Sequence, residues 1–294
     1  TGHIGNSQTY KQTQDMLRSY DRKLDQRLFS DIDLRYVRGF DMFLQKRSCC
    51  GNTRKFYFKA LRAILNRANA EGVGSVATYP FGRGGFEVSK LEEATAKRYL
   101  PAAELSKLKS ATANNPQCEY ARKLFLFSYY CYGISFIDMA MLTAAHIKQM
   151  EDGDYIVYKR QKIKRQKGVK PISIKITPAI RQLIESLQAA SPTVDDFLLP
   201  VVTRSGYTGE RLYMHIRTRY SKYQKYLRLL AEELGIDFHL TSYVSRHTAA
   251  MTLQRNHIPR EVISQMLGHA DLETTNVYLD SFDNGVINEA AKVL

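Results

Sequence analysis

Three residues near the C-terminus combine the chemistry of anion binding with that of a nucleophile. Arg246 begins the tripeptide RHT, His269 ends the tripeptide LGH 23 residues later, and Tyr278 follows nine residues after His269. Arginine and histidine donate hydrogen bonds to anions, and a tyrosine oxygen can attack an electrophile. Taken singly, each has an ordinary explanation: a surface cation, a helix C-cap and one of 19 tyrosines. Their order and spacing are therefore the informative feature.

This arrangement resembles the C-terminal motifs of the tyrosine recombinase (phage integrase) family. The segments LTSYVSRHT and LGHADLETTNVY match that family's arginine, histidine and nucleophile motifs. The amino-acid sequences of the segments TSYVSRHTAA and GISFIDMAML are most similar to those of integrases of Bacteroidetes mobile elements. The resemblance implies a site-specific DNA recombinase that cleaves and rejoins DNA through a 3′-phosphotyrosine intermediate and a Holliday junction.

The resemblance also implies roles for the three residues. Tyr278 matches the nucleophile, Arg246 the second catalytic arginine and His269 a donor to the phosphate. The family uses neither a metal nor a nucleotide cofactor. Preorganised Arg and His donors must therefore stabilise the extra negative charge of the pentacoordinate transition state.

The general acid of the family is a lysine on a β-hairpin, and here two lysines fit that place. Counting forward from DYIVYKRQKI favours Lys162, whereas counting back from PISIKI indicates Lys167. The family often has a histidine three residues before the second arginine. That position is Tyr243 here, and a tyrosine can still donate one hydrogen bond.

The first catalytic arginine of the family is missing from its usual place. Aligning the family's GLRxSEL motif through Asp138 leaves Ser135 in the arginine position. Several relatives carry an arginine just before the glycine, where this chain has Tyr132. The nearest upstream guanidinium is Arg122, which we expect either to reach the phosphate or to be a solvated helix cation. Asp138 is expected to support the site structurally.

The composition predicts a basic globular protein. Among 294 residues, 43 Lys and Arg exceed 29 Asp and Glu, which gives a formal charge of +14. A hydrophobic content of 44% argues against disorder, and no apolar run approaches the ~20 residues that span a bilayer. The four cysteines form neither a disulfide framework nor a metal-binding signature, which favours a reducing cytoplasm. Because the sequence begins at Thr1 without Met, we expect an N-terminal extension upstream.

Two acid-free basic segments predict contacts with a phosphate backbone. Residues 159–170 contain seven Lys or Arg, and residues 211–228 contain six, interleaved with four tyrosines. Those tyrosines are expected to stack on DNA sugars or to form a helix core face. The predicted DNA-binding residues are Lys159, Arg160, Lys164, Arg165, Arg217, Arg219 and Lys222.

The elements that must position these residues are mainly helices with one small antiparallel β-sheet. Alternating apolar residues in DYIVYKRQK and KPISIKIT predict a hairpin with a basic tip. Thr177 and Ser242 are predicted helix caps, and further helices are predicted to begin at Pro259 and Asp271.

The chain is predicted to form two domains. Residues 1–75 form a helical, SAM-like core-binding domain, glycine-rich residues 76–90 a linker, and residues 91–294 the catalytic domain. The amphipathic tail 282–294 is expected to pack on a neighbouring protomer. The resemblance implies double-stranded DNA as partner, a homotetramer on two duplexes, a monomer when free, and no membrane association.

Two other classes of protein remain open. A topoisomerase-like nicking–closing enzyme would share the tyrosine chemistry without synapsis. A DNA-binding member of the family could have kept the fold and lost catalysis together with the first arginine.

Overall fold

The computed structural model describes residues 4–93, 98–164, 166–269, 272–276 and 279. It contains two compact units, Thr1–Ala96 and Lys97–Leu294. Tyr278, Arg165 and the predicted tail 282–294 lie outside the described residues, so the predictions for them stay predictions. Among the helices that are described, none has the length and apolar character needed to cross a bilayer.

The first unit is built on three helices: α1 (Ile4–Tyr20), α2 (Leu34–Lys46) and α3 (Gly51–Ala70). Helix α2 begins at Leu34 and is capped by Asp33, whose carboxylate accepts from the Tyr36 amide over 2.8 Å. Phe40 on the inner face of α2 is fully buried, with its ring 5.5 Å from that of Phe58.

The segment predicted as a linker, 76–90, belongs instead to the core of this unit. Phe81 and Val88 are buried, and the Phe86 ring lies 4.4 Å from the Phe58 ring. The glycines that suggested flexibility close a tight turn, since Gly82 and Gly84 have φ values of 108° and 82°. The unit boundary therefore falls at 96/97 and not within 75–90.

The second unit is helical around a small sheet. Its helices are α4 (Ala102–Ser110), α5 (Pro116–Tyr130), α6 (Phe136–Ala140), α7 (Pro178–Ala190), α8 (Gly209–Glu233), α9 (Ser242–Arg255), α10 (Arg260–Leu267) and α11 (Leu272–Asn276). Helix α5 packs against α7, α8 and α9 at the centre of the core. The predicted Thr177 cap is confirmed, since its side chain accepts from the Ile180 amide, whereas α9 is preceded by Thr241 at its N-cap position.

The sheet has three antiparallel strands in the order β1 (Ile147–Met150), β2 (Gly153–Tyr158), β3 (Ile172–Lys175). The predicted hairpin is confirmed, with Ile156 opposite Ile174 and both side chains fully buried. Strand β1 was not predicted, because it has only four residues and three of them are exposed. The basic segment 159–170 connects β2 to β3, close to the C-terminal end of α10. The mainly helical fold with a small antiparallel sheet is thus confirmed.

Candidate active site

Arg246 lies buried in the second turn of α9 and is held by three groups. Its Nη1 donates to the Gly133 carbonyl oxygen over 3.0 Å and its Nη2 to the Leu267 carbonyl oxygen over 2.5 Å. The same Nη2 lies 2.9 Å from His269 Nε2. These bonds fix the plane of the guanidinium before any ligand arrives, which is what transition-state stabilisation requires.

Gly133 makes this position of Arg246 possible. Its φ is 71°, and a Cβ built there would overlap the Cα of Arg246. Glycine is therefore required for both its backbone conformation and the close approach. Gly133 was not among the predicted site residues, although a glycine between two apolar helices was the available signal.

His269 is oriented from both sides. A guanidinium only donates, so His269 Nε2 accepts from Arg246. The ring proton is then on Nδ1, which donates to Thr275 Oγ1 over 2.8 Å. Thr275 is fully buried, which makes it a positioning residue, and it was not predicted from the sequence. Gly268, with φ 63°, ends α10 and turns the chain so that His269 reaches Arg246.

Ser135 and Asp138 connect α6 to the hairpin. Ser135 Oγ donates to Asp138 Oδ2 over 2.6 Å, and Asp138 Oδ1 accepts from the Gln161 amide over 2.7 Å. Asp138 is buried, so its charge is compensated by these donors. Ser135 therefore caps α6, and the pair holds the backbone that precedes Lys162.

Arg122, expected as one possible substitute for the first arginine, has hydrogen-bond partners that differ from those described for Arg246. Its Nε and Nη2 donate to both oxygens of Glu119 over 2.8 and 2.7 Å, and its Nη1 donates to the Leu108 carbonyl oxygen over 2.9 Å. Burial raises the pKa of Glu119, but hydrogen bonds from Arg122 and the Ala113 amide outweigh burial and leave that pKa below its usual value. The nomination is corrected: Arg122 fastens the end of α4 to α5. Its spacing from Ser135 could not reveal these partners.

The two candidate general acids are exposed in the β2–β3 connection. Lys162 and Lys167 both extend from the surface. Lys167 lines a groove of about 620 Å³ together with Arg160, Gln265 and His269. The geometry therefore leaves both lysines as candidates.

A cavity of about 390 Å³ opens beside Arg246. Phe136, Tyr213 and Tyr220 form an aromatic wall, and the Tyr220 hydroxyl lies 3.1 Å from Ser242 Oγ. The other side chains that bear on its chemistry are those of Ser135, Arg160, Arg217, Tyr243 and Arg246. Three guanidinium groups around one cavity make it suitable for a phosphate.

The predicted DNA-binding side chains divide into two groups. Lys159, Lys164, Arg217 and Lys222 are exposed and Arg160 is half-buried, which leaves them accessible to a phosphate backbone. Arg219 is instead engaged by its own fold, because its Nε donates to the Val201 carbonyl oxygen and its guanidinium lies 5.7 Å from the Tyr120 ring. Tyr243 is half-exposed at the cavity, with its ring 6.0 Å from that of His247.

The tyrosines of α8 do not share one role. Tyr223 is buried and stacked on Phe136 at 5.1 Å, so it belongs to the core. Tyr213 and Tyr220 line the cavity. In the described ranges, no three His, Cys, Asp or Glu side chains are grouped to hold a metal ion.

Known proteins share both the sequence features and the fold. Residues 98–284 match the phage integrase family, and residues 1–87 match the phage integrase SAM-like domain. A stretch of 54 residues is 41% identical to tyrosine recombinase XerD of Halalkalibacterium halodurans. That stretch is 18% of this chain and 18% of the relative, so only a short part of XerD is matched.

Solved structures with the same fold include recombinases bound to DNA. The Tn1549 transposon integrase in complex with transposon right end DNA superposes with a TM-score of 0.65 at 12% identity, covering 96% of this chain and 93% of that one. XerH site-specific recombinase bound to palindromic difH substrate gives 0.64 at 19%, covering 97% and 79%. A lambda integrase dimer bound to a COC′ core site gives 0.61 at 15%, covering 94% and 90%. At these identities the likeness concerns the fold, and the family match over 98–284 shows that the chain belongs to the phage integrase family, the tyrosine recombinases.

Proposed function

We propose that the protein is a site-specific DNA recombinase that cleaves and rejoins DNA through a 3′-phosphotyrosine. The observation that carries this proposal is the preorganised pair of Arg246 and His269 beside a cavity with three guanidinium groups. Family membership supports it, because the motif that contains Tyr278 follows this pair at the family's spacing.

The proposed step is a transesterification that needs no external energy. The Tyr278 hydroxyl gives up its proton to water while its oxygen forms a bond to the scissile phosphorus, and the bond from phosphorus to the 5′-oxygen breaks. The leaving 5′-oxygen takes a proton from the hairpin lysine, Lys162 or Lys167, and the 5′-hydroxyl of a partner strand later reverses the step. Arg246 stabilises the charge that develops on the non-bridging oxygens.

We further propose a setting for this reaction. Double-stranded DNA is the partner, bound by the exposed cations of the β2–β3 connection and α8 and by the SAM-like unit. Four protomers hold two duplexes and pass through a Holliday junction, and the free protein is a monomer. The protein is an integrase of a Bacteroidetes mobile element and acts in the cytoplasm. The amino-acid sequences of the segments TSYVSRHTAA and GISFIDMAML support this part of the proposal.

A DNA-binding family member without catalysis is the second candidate. The observation that favours it is Ser135, which stands in the first arginine position with its hydroxyl engaged by Asp138. A nicking–closing enzyme would differ in a later step only, since it needs no second duplex.

A nicked duplex distinguishes these functions. Duplexes with a randomised core are first selected for covalent attachment to the protein, and the recovered sequence is then nicked beside its cleavage position. We expect a denaturation-resistant 3′ adduct and, with two duplexes, exchanged strands. DNA binding without an adduct would identify the non-catalytic protein, and an adduct without exchange would identify the nicking–closing enzyme.

Tyr278→Phe is expected to abolish the adduct and to leave DNA affinity nearly unchanged, because it removes the nucleophilic oxygen and no charge. Tyr155→Phe is the matched control, since that hydroxyl donates to Asp152 over 2.7 Å on the exposed end of the sheet. An adduct that persists in Tyr278→Phe would show that a different tyrosine attacks.

A further inference from the structure

The position of the first arginine is not filled by any residue that the sequence nominated. Ser135 caps α6 and donates to Asp138. Tyr132, where several relatives have arginine, is half-buried with a φ of 57°. Arg122 is bound to Glu119 and to the end of α4. Within the described part of the chain, the cations of the cavity are instead Arg160, Arg217 and Arg246.

The backbone at Arg160 is anchored to the site. Arg160 follows β2 by two residues, and the next amide, that of Gln161, donates to the buried Asp138 carboxylate over 2.7 Å. Asp138 also accepts from Ser135, the residue at the position where the family has its first arginine. One carboxylate therefore binds both Ser135 and the backbone next to Arg160. This hydrogen bond restrains the backbone of the β2–β3 connection next to Arg160.

The Arg160 side chain lies beside Arg246. Its stem packs over Gly268, where a Cβ would come within 3.3 Å of the Arg160 Cδ. Its Nη1 donates to the Gly268 carbonyl oxygen over 3.3 Å, while Arg246 Nη2 donates to the preceding carbonyl, that of Leu267. Adjacent carbonyls at the C-terminal end of α10 therefore hold both guanidiniums. The partial negative charge of a helix C-terminus offsets the repulsion between them.

Arg160 also retains unused donors. Its Nε is buried without a hydrogen-bond partner among the described residues, and no carboxylate in those residues forms an ion pair with it. A bond of 3.3 Å to one carbonyl is at the long end of the range and is easily exchanged for a charged acceptor. An anion in the cavity would satisfy these donors.

We propose that Arg160 contacts the scissile phosphate next to Arg246 and supplies the second guanidinium that the chain lacks at Ser135. This inference rests on the proposed function and deepens it. Arg160 neither gains nor loses a proton: the bond from Tyr278 to phosphorus forms, the bond to the 5′-oxygen breaks, and Arg160 stabilises the charge on the non-bridging oxygens. Removal of one such donor slows a reaction by about 10²–10³.

The first measurement is single-turnover adduct formation on the selected nicked duplex. Arg160→Ala is expected to slow it about 100-fold or more, with Arg160→Lys intermediate because it keeps the charge and loses the fork. Arg204→Ala, an exposed arginine outside both basic segments, is the control and is expected to stay within threefold. A rate for Arg160→Ala within threefold of the unmodified protein would overturn the inference.

The second measurement separates contact with the phosphate from a merely structural role. A methylphosphonate at the scissile position replaces a charged oxygen by methyl, so the substrate no longer needs a second cation. The loss in Arg160→Ala is expected to shrink to tenfold or less on this substrate. An equal loss on both substrates would overturn the inference, as would a charge-dependent loss in Arg217→Ala with none in Arg160→Ala. If the unmodified protein forms no adduct on any duplex, the proposed function itself fails, and the inference fails with it.

Discussion

At the scale of single residues, the site depends on groups that do no chemistry themselves. The Gly133 carbonyl oxygen accepts a hydrogen bond from Arg246, and the absence of a side chain at Gly133 leaves room for the Arg246 backbone. Thr275 accepts a hydrogen bond from His269 Nδ1 and so fixes the orientation of the imidazole ring. A substitution at one of these supporting residues can therefore impair Arg246 or His269 although neither is itself replaced.

Gly133→Ala is expected to lower the free energy of unfolding by about 1–3 kcal/mol from backbone strain alone, and further through the overlap with Arg246. Gly206→Ala is the matched control, because Gly206 has the same φ of 71° and a Cβ there would meet no atom within 4 Å. Urea denaturation of both variants measures the difference. Equal losses would show that the close approach to Arg246 carries no energy.

Arg122→Ala is expected to reduce stability and to leave the chemical step unaffected. Hydrogen bonds to a charged group contribute about 1.5–3 kcal/mol, and the Glu119 partner lies only 17% exposed. Urea denaturation measures the loss, and adduct formation at a temperature where the variant is folded measures the chemistry. Lys123→Ala, 3.9 Å from the same carboxylate, serves as control. A rate loss of 100-fold in a fully folded Arg122→Ala protein would return Arg122 to the active site.

At the scale of elements, four parts of the second unit form the site. They are the N-terminal part of α9, the C-terminal end of α10, the turn before α6 and the β2–β3 connection. Ser128 on α5 and Ser245 on α9 are buried and lie 2.7 Å apart through their hydroxyls, which locks the two helices in register. Asp138 then joins α6 to the hairpin. The β2–β3 connection is basic, and Asp138 holds its backbone at Gln161, between Arg160 and Lys162.

Asp138→Ala is expected to release the hairpin. The Gln161 amide loses its acceptor, so its hydrogen exchange should accelerate, and adduct formation should slow because the general acid is displaced. Asp138→Asn should retain most of both, since its oxygen can accept from Gln161 while its amide donates to Ser135. Unchanged exchange at Gln161 in Asp138→Ala would contradict this linkage. Asp152→Ala, on the exposed β1–β2 turn, is the control.

At the scale of the whole molecule, the net charge is +14, and 13 of the 43 Lys and Arg residues lie in the two acid-free segments of the second unit. These segments are the connection that follows β2 and the larger part of helix α8. Neutralised phosphates release counterions, so binding by such a surface depends on salt.

DNA affinity is expected to fall by about 10³–10⁵ between 50 and 200 mM salt if ~6–10 phosphates are contacted. Neutralising Lys164 and Arg165 together should lower the salt slope by about 1–2. Arg204→Ala should leave the slope unchanged. Fluorescence anisotropy with labelled duplex measures it, and a flat salt response would contradict the predicted phosphate contacts.

Local sequence alone determined the mainly helical character of the chain, the β2–β3 hairpin and the identity of the motif. Helix periodicity, the Thr177 cap, the alternation in β2 and β3, and the spacing from Arg246 to His269 all depend on neighbours within a few residues or on a family pattern. Such signals can be read from the sequence without knowledge of the fold.

Tertiary structure alone decided which polar groups became partners. A guanidinium can be satisfied by any carbonyl or carboxylate within reach, so the sequence could not tell that Arg122 would bind Glu119 and the end of α4, or that Arg160 would lie beside Arg246. For the same reason the glycine-rich segment 76–90 resembled a linker until Phe81 and Phe86 were found in the core. These outcomes depend on contacts between residues far apart in the chain, because burial and hydrogen bonding are settled by the packed neighbours and not by local order.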